Sequence, residues 1–386
     1  MTRTLHYALF FVLMSAVTCG AHYYVYRRIT AMAGVTGAAW RRRILAAAMA
    51  LGLSFPAARL MILVSSGRFI VAFDWFANLW AGVFLYALLA TAAIHLAGAL
   101  FGIFNRHEKS GPAAAVRRGR ITAVFIGVFA LTMGIYGFCA ARFMVQTTVL
   151  DLPVKGLPAA LDGFRVVQVS DIHIGVIVRN GKVRDLVEKI NSLSPDLVVI
   201  TGDLADEDAS YMKGLSGELA RIKSVHGTLA CTGNHDYYAG VEHVTAIAAG
   251  AGIRFLRNEK ATVAGAIDVY GIDDLAGRYF GEKTPEFGSI IGPGARTRPT
   301  ILLYHQPVGM EKAAALGVDI VLSGHTHKGQ IWPITLISRL IYRYQTGLFK
   351  SGDTAMYVSR GAGTWGPPMR VGSTPEIVLV RLRARA

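Results

Sequence analysis

The sequence predicts an α/β domain preceded by about four membrane-spanning helices, on three observations. Hydrophobic residues make up 53% of the 386-residue chain, more than an ordinary soluble protein carries, and the excess sits in residues 1–143. Beyond that point, short β-branched apolar runs surround a segment of helical spacing, the pattern of an α/β domain with buried sheets. Nearly every one of those runs ends in Asp, Asn or His.

A span takes about 20 apolar residues. Residues 5–26, 44–64, 80–104 and 121–141 qualify. Pro56 and Arg59 make the second the weakest. His95 in the third reads as a helix–helix contact, and the spans lack paired charges, which argues against transport. A cleaved signal peptide fits the first run poorly, because only Arg3 precedes it and Arg27 and Arg28 follow directly. Arg27, Arg28, Arg41, Arg42 and Arg43 lie between spans one and two, and Arg106, Lys109, Arg117, Arg118 and Arg120 between spans three and four. Basic loops stay in the cytoplasm. The expectation is therefore a multi-pass protein of the inner or plasma membrane, with everything after Ala141 extracytoplasmic.

The formal charge of +15 has the same origin. Residues 1–144 hold 14 Lys and Arg against 2 Asp and Glu, whereas the remainder holds 26 against 23. The basicity is a topology signal and not a polyanion-binding surface, so no nucleic-acid partner is expected. The three cysteines, Cys19, Cys139 and Cys231, allow no disulfide framework in the domain and no Cys-based metal motif.

Residues 144–161 contain Pro153, Gly156 and Pro158 and read as an extended linker; the domain follows at 162–383. Strands are expected at 164–169, 197–200, 228–231, 267–270, 300–304 and 319–322. Between the first two, Val183, Leu186, Val187 and Ile190 recur at helical spacing until Pro195. The first strand leads into Asp171 and His173, the second into Asp203, and the third into Asn234, His235 and Asp236. The fifth leads into His305 and the sixth into His325 and His327. Sites in α/β sheets form just outside the carboxyl ends of strands. Imidazole, carboxylate and amide side chains gathered there are what a metal site needs, and without thiolate they suit Mn, Fe or Zn better than a soft metal.

The series Asp-x-His, Gly-Asp, Gly-Asn-His-Asp, His, Gly-His-x-His resembles the calcineurin-like metallophosphoesterase superfamily. Together with the N-terminal spans and the stretch 358–377, it resembles a bacterial membrane-bound branch. The resemblance covers about residues 162–383. It implies a four-layer α/β/β/α sandwich with two divalent metal ions (Mn, Fe, Zn or Mg) at the edge of its sheets. It implies Asp171, His173 and His327 on the first ion, Asn234, His305 and His325 on the second, and Asp203 bridging both. His235 would act as general acid or as donor to a phosphoryl oxygen, with Asp236 orienting it. Lys328 stands where branch members often carry glycine and is a candidate contact for substrate phosphate. Arg360 and Arg370 are further candidates, since arginine binds phosphate bidentately. Residues 331–344 mix large apolar side chains with Arg339 and Arg343, like an interfacial segment; the alternative is an ordinary packed helix.

The expected function is a membrane-anchored, metal-dependent phosphohydrolase or phosphodiesterase acting on a lipid-linked or envelope phosphoester. Membrane lipids surround it, and no obligate protein partner is expected. A narrower alternative is a pyrophosphate hydrolase of the UDP-2,3-diacylglucosamine type in lipid A synthesis, which requires a cytoplasmic domain. An alternative of another class is a non-catalytic membrane sensor or transporter carrying a metal-binding domain.

Overall fold

Four long helices open the chain: α1 (Arg3–Met32), α2 (Ala38–Ile62), α3 (Arg68–Phe104) and α4 (Pro112–Phe143). Each is long and apolar enough to cross a membrane. The computed structural model describes residues 3–62, 67–104, 111–283, 286–292 and 298–385. Leu63 and Val64 of the second expected span, and Arg106 and Lys109 of the second basic loop, lie outside the described residues. Residues 1–138 with 367–369 form one unit, and residues 139–366 with 370–386 a second.

Pro112 opens α4 at the position where its missing N–H costs nothing. Pro56 lies inside α2 without ending it, as membrane helices tolerate when neighbours satisfy the freed backbone groups. His95 does sit at a helix–helix contact: its Nδ1 is 3.0 Å from the hydroxyl of Tyr24. His22 is satisfied too, 2.8 Å from the Thr18 carbonyl and accepting from Trp80 Nε1 at 3.0 Å. The expected absence of paired charges is corrected. Arg59, near the end of α2, pairs with fully buried Asp74 of α3, and Asn78 Nδ2 donates to the same carboxylate at 3.1 Å. Desolvating a lone carboxylate is costly, and Arg59 of the preceding helix supplies its counter-ion.

The second unit consists of two six-stranded sheets. The first contains β1 (Gln146–Lys155), β2 (Arg165–Val169), β3 (Leu197–Thr201), β4 (Thr228–Cys231), β5 (Ile253–Phe255) and β12 (Glu376–Arg385), in the order β1-β12-β2-β3-β4-β5. The second contains β6 (Glu259–Val263), β7 (Ile267–Gly271), β8 (Thr300–Leu303), β9 (Ile320–Ser323), β10 (Gly347–Ser351) and β11 (Thr354–Val358), in the order β10-β11-β9-β8-β7-β6. Val166, Leu197, Ile267, Ile301, Leu322 and Tyr357 share one core between the sheets. Helix α5 (Asn180–Ser192) packs Val183, Leu186 and Ile190 on the outer face of the first sheet, and Met310 and Ala313 of helix Met310–Leu316 cover the second. This is the α/β/β/α sandwich.

The segment expected as a linker is corrected. Residues 146–155 are extended, but they pair with β12 in parallel over ten residues and bury Leu152 and Val154. Pro153 is accommodated because β1 is an edge strand, with a free side for a residue that cannot donate. The domain thus begins directly after α4, and its last strand runs to Arg385.

Strands β2, β3 and β4 are mutually parallel, as are β7, β8 and β9. Parallel pairing sets the carboxyl ends within each sheet along one edge. The residues that follow β2, β3, β4, β8 and β9 are the Asp, Asn and His residues singled out above.

Candidate metal centre

The backbone at this edge is strained. Asp171, His173, Asp203, His325 and His327 all have left-handed φ, between 48° and 71°, a region L-residues rarely enter outside functional sites. Gly202 also has positive φ, 83°. Gly324 does not; a side chain there would collide with Ser170 and Asp171. Its absent Cβ serves close approach and not the sharp turn its place in Gly-His-x-His suggests.

Three overlapping groups offer ligand atoms within 4.8 Å of one another: Asp171, His173 and His327; His173, Asp203 and His235; Asp203, His305 and His325. Asp203 lies centrally. Its Oδ2 is 3.1 Å from His305 Nε2 and 3.6 Å from His173 Nε2, and its Oδ1 accepts from the His235 backbone at 2.8 Å. Asn234 Oδ1 lies 2.9 Å from His325 Nδ1, which is 3.2 Å from His305 Nε2. His327 Nε2 lies 3.2 Å from Asp171 Oδ1 and 3.0 Å from His173 Nε2. All seven expected ligands therefore meet in one place.

The donor set fits metal. His305 Nδ1 is 2.8 Å from the carbonyl of Thr201, which only accepts, so Nδ1 carries a proton. His305 Nε2 then faces the Asp203 carboxylate, and two such acceptors need a cation between them. In the metal-free chain that cation is a proton: burial lowers the His305 pKa, but Asp203 outweighs it and holds the ring well above the usual range. Burial raises Asp203, yet His305, His235 and His173 hold it well below the usual carboxylate range. Burial, with His305 adding, lowers His325 to about 4; burial, with Arg370 adding, lowers His327 to about 3 against the pull of Asp171. Ionised carboxylates and neutral imidazoles are the forms a metal takes.

His235 is differently placed. Its side chain is 22% exposed, and its Nδ1 is 2.9 Å from Asp206 Oδ1 and 3.1 Å from the Asp206 carbonyl. Burial lowers its pKa, but Asp206 and Asp203 outweigh this and raise it to about 9. Asp206 is the residue that sequence reasoning missed. Its signal was present, a second aspartate three residues after Asp203 in Thr-Gly-Asp-Leu-Ala-Asp. Asp206 also reaches His173 Nδ1 at 3.2 Å.

Asp236 does not orient His235, which corrects the expectation. Its carboxylate accepts from the backbone N–H groups of Gly233, Asp203 and Ala205 at 2.8, 3.0 and 3.0 Å. It caps the helix Asn234–Tyr238 and fixes the Asp203 turn. Side chains of adjacent helical residues diverge, so Asp236 points away from its neighbour.

The two arginines are corrected as well. Arg370 is fully buried and bonded to the carbonyls of Gly363, Arg360 and His327 at 2.6, 2.8 and 3.2 Å, with Nη2 2.8 Å from His327 Nδ1. It braces the His-x-His loop from behind. Arg360 is paired with buried Glu376 at 2.5 Å. Neither offers a free fork to a phosphate. Lys328 is half-buried beside the loop, and its ammonium makes no bond among the described residues.

The family model for calcineurin-like phosphoesterases matches residues 164–329. A transmembrane protein with metallophosphoesterase domain from Danio rerio is 34% identical over 315 residues, 78% of this chain and 71% of that protein. That stretch exceeds the length of the α/β unit. An uncharacterized metallophosphoesterase of Helicobacter pylori is 36% identical over 235 residues, 59% of this chain, which spans 63% of that relative's length. One from Aquifex aeolicus is 30% identical over 260 residues, 66% of this chain and 98% of the relative. The match to the family model, and a relative 34% identical of which this chain covers 71%, identify the chain as a membrane-associated member of the calcineurin-like metallophosphoesterases, a family of metal-dependent phosphoester hydrolases.

Proposed function

We propose that the protein is a membrane-anchored phosphohydrolase or phosphodiesterase with a dinuclear metal centre. The observation that carries this is the position of Asp203 between two clusters of ligand atoms. Asp171, His173 and His327 would hold one ion and Asn234, His305 and His325 the other, with Asp203 common to both. Divalent ions held there would supply positive charge to phosphoryl oxygens and lower the pKa of bound water toward neutrality.

The chain's own residues do the rest. Asp206 holds His235 by Nδ1 and keeps it protonated, which leaves Nε2 to face the substrate. Water oxygen forms the new P–O bond as the ester P–O bond breaks, the departing alkoxide takes its proton from His235 Nε2, a role typically worth about 10²–10⁴-fold in rate, and the proton given up by the water leaves to solvent, from which His235 is recharged. Lys328 adds charge at the rim. The substrate we favour is a lipid-linked or envelope phosphoester, because four membrane-length helices hold the domain to the bilayer.

The test uses the full chain in detergent, stripped of metal and reloaded with Mn, Fe, Zn or Mg, against bis(4-nitrophenyl) phosphate. Turnover should require metal and reach its maximum at two ions per chain. Undiminished turnover in the stripped protein would sink the proposal.

A further inference from the structure

Helix Ile334–Ile341 is built inside out. It buries Thr335 and Ser338 and exposes Ile334, Leu336, Ile337, Leu340 and Ile341, with Leu340 88% and Ile341 69% exposed. At the α-helical repeat, the five apolar side chains share one arc of roughly 160°. The buried polar side is satisfied within the fold. Gln345 Nε2 donates to the Thr335 carbonyl at 2.8 Å and to Ser338 Oγ, and Ser338 Oγ donates to Thr335 at 3.3 Å. A surface helix in water has the reverse arrangement. An apolar face of this kind marks a contact with protein or lipid.

Two features select lipid. The first is the flanking chemistry. Exposed Trp332 precedes the helix, Tyr342 and Tyr344 follow it, and Arg339 and Arg343 are exposed beside its apolar stripe. Amphipathic aromatic rings and basic side chains bordering an apolar face suit the headgroup layer of a bilayer, where anionic phosphates meet the cations. The second is tethering. Helix α4 ends at Phe143 and β1 begins at Gln146, so two residues separate a membrane-length helix from the α/β unit, and a bilayer is always within its reach.

We propose that helix Ile334–Ile341 is the membrane-binding face of the α/β unit, with its five apolar side chains entering the lipid and Arg339 and Arg343 meeting anionic headgroups. The Tyr342 hydroxyl, just after the helix, is 3.3 Å from His325 Nε2. One side chain thus links the lipid face to the candidate metal centre.

The experiment measures depth. Leu340→Cys is introduced into the full chain with Cys19→Ala and Cys139→Ala; Cys231, fully buried, is left in place. The thiol is labelled with an environment-sensitive fluorophore and the protein reconstituted in phosphatidylglycerol-containing bilayers. Exposed Lys223→Cys, before β4, is the reference. Emission at 340 should shift to the blue and be quenched severalfold more than at 223 by nitroxide-bearing lipids. Water-like emission at 340 overturns the proposal. Blue-shifted emission that lipid-borne quencher does not reach also overturns it, because a protein surface then covers the helix.

Discussion

Asp203 combines a left-handed backbone, a buried carboxylate and contacts to three histidines. Left-handed φ at a non-glycine residue costs about 1–3 kcal/mol, and Asn tolerates it as well as Asp does. Asp203→Asn therefore keeps the turn while removing the charge. It should abolish turnover and lower metal content; elemental analysis of the folded variant checks this, and two retained ions at unchanged rate would refute the bridging role. His235→Ala should keep its metal and lose most of the rate. Asp206→Asn tests the partner of His235. Removing a carboxylate that favours imidazolium lowers the His235 pKa, so the alkaline limb of kcat/KM should move to lower pH. A rate loss with no movement of that limb would make Asp206 a support for His173 alone. Asp236→Ala is expected to act on stability, since it leaves three buried N–H groups unpaired; unfolding of the variant should show a loss of at least about 2 kcal/mol.

Among the elements, β12 is where the domain closes. It pairs with β1 on one side and β2 on the other, and Glu376 at its start is fully buried. That carboxylate accepts from Arg360 at 2.5 Å, from Thr148 of β1 at 2.6 Å and from Tyr357 of β11 at 3.2 Å. Burial raises its pKa, but Arg360 and Thr148 outweigh this and hold it ionised. Glu376→Ala strands a partly buried guanidinium and should cost about 3 kcal/mol, read as a lower unfolding temperature of the full chain in detergent. The same contacts explain why Arg360 is unavailable to substrate. Local composition marks a Gly-rich arginine as a phosphate ligand; a strand of the other sheet claims it.

For the whole molecule the open question is side. Two loops carry ten Lys and Arg residues, and the outer segments before the domain carry few. We predict that reporter fusions after Arg142 read as extracytoplasmic and a fusion between Arg106 and Arg120 as cytoplasmic, because basic loops resist translocation. The reverse result would move the catalytic unit inside and restore the UDP-linked precursor as a substrate. Helix α2 was the span to doubt, yet it continues through Pro56 and Arg59 to Ile62. The Arg59–Asp74 pair supplies the reason: the arginine that weakened the apolar run has a buried partner on the next helix.

By itself the sequence determined the features whose physics is local. Apolar length marked four membrane-length helices, β-branched runs marked the strands that carry the site, and the strand ends offered nine Asp, Asn and His residues, of which the family resemblance named seven as candidate ligands. What only the tertiary structure decided were choices of partner. Asp206 and not Asp236 holds His235, because the helix directs neighbouring side chains apart while a turn from another strand brings Asp206 across 29 positions. Arg370 braces His327 across 43 positions. Residues 146–155 are a strand because β12, 230 residues on in register, pairs with them. The direction in which helix Ile334–Ile341 faces was also beyond the sequence, because periodicity defines an apolar stripe without saying whether core or lipid covers it.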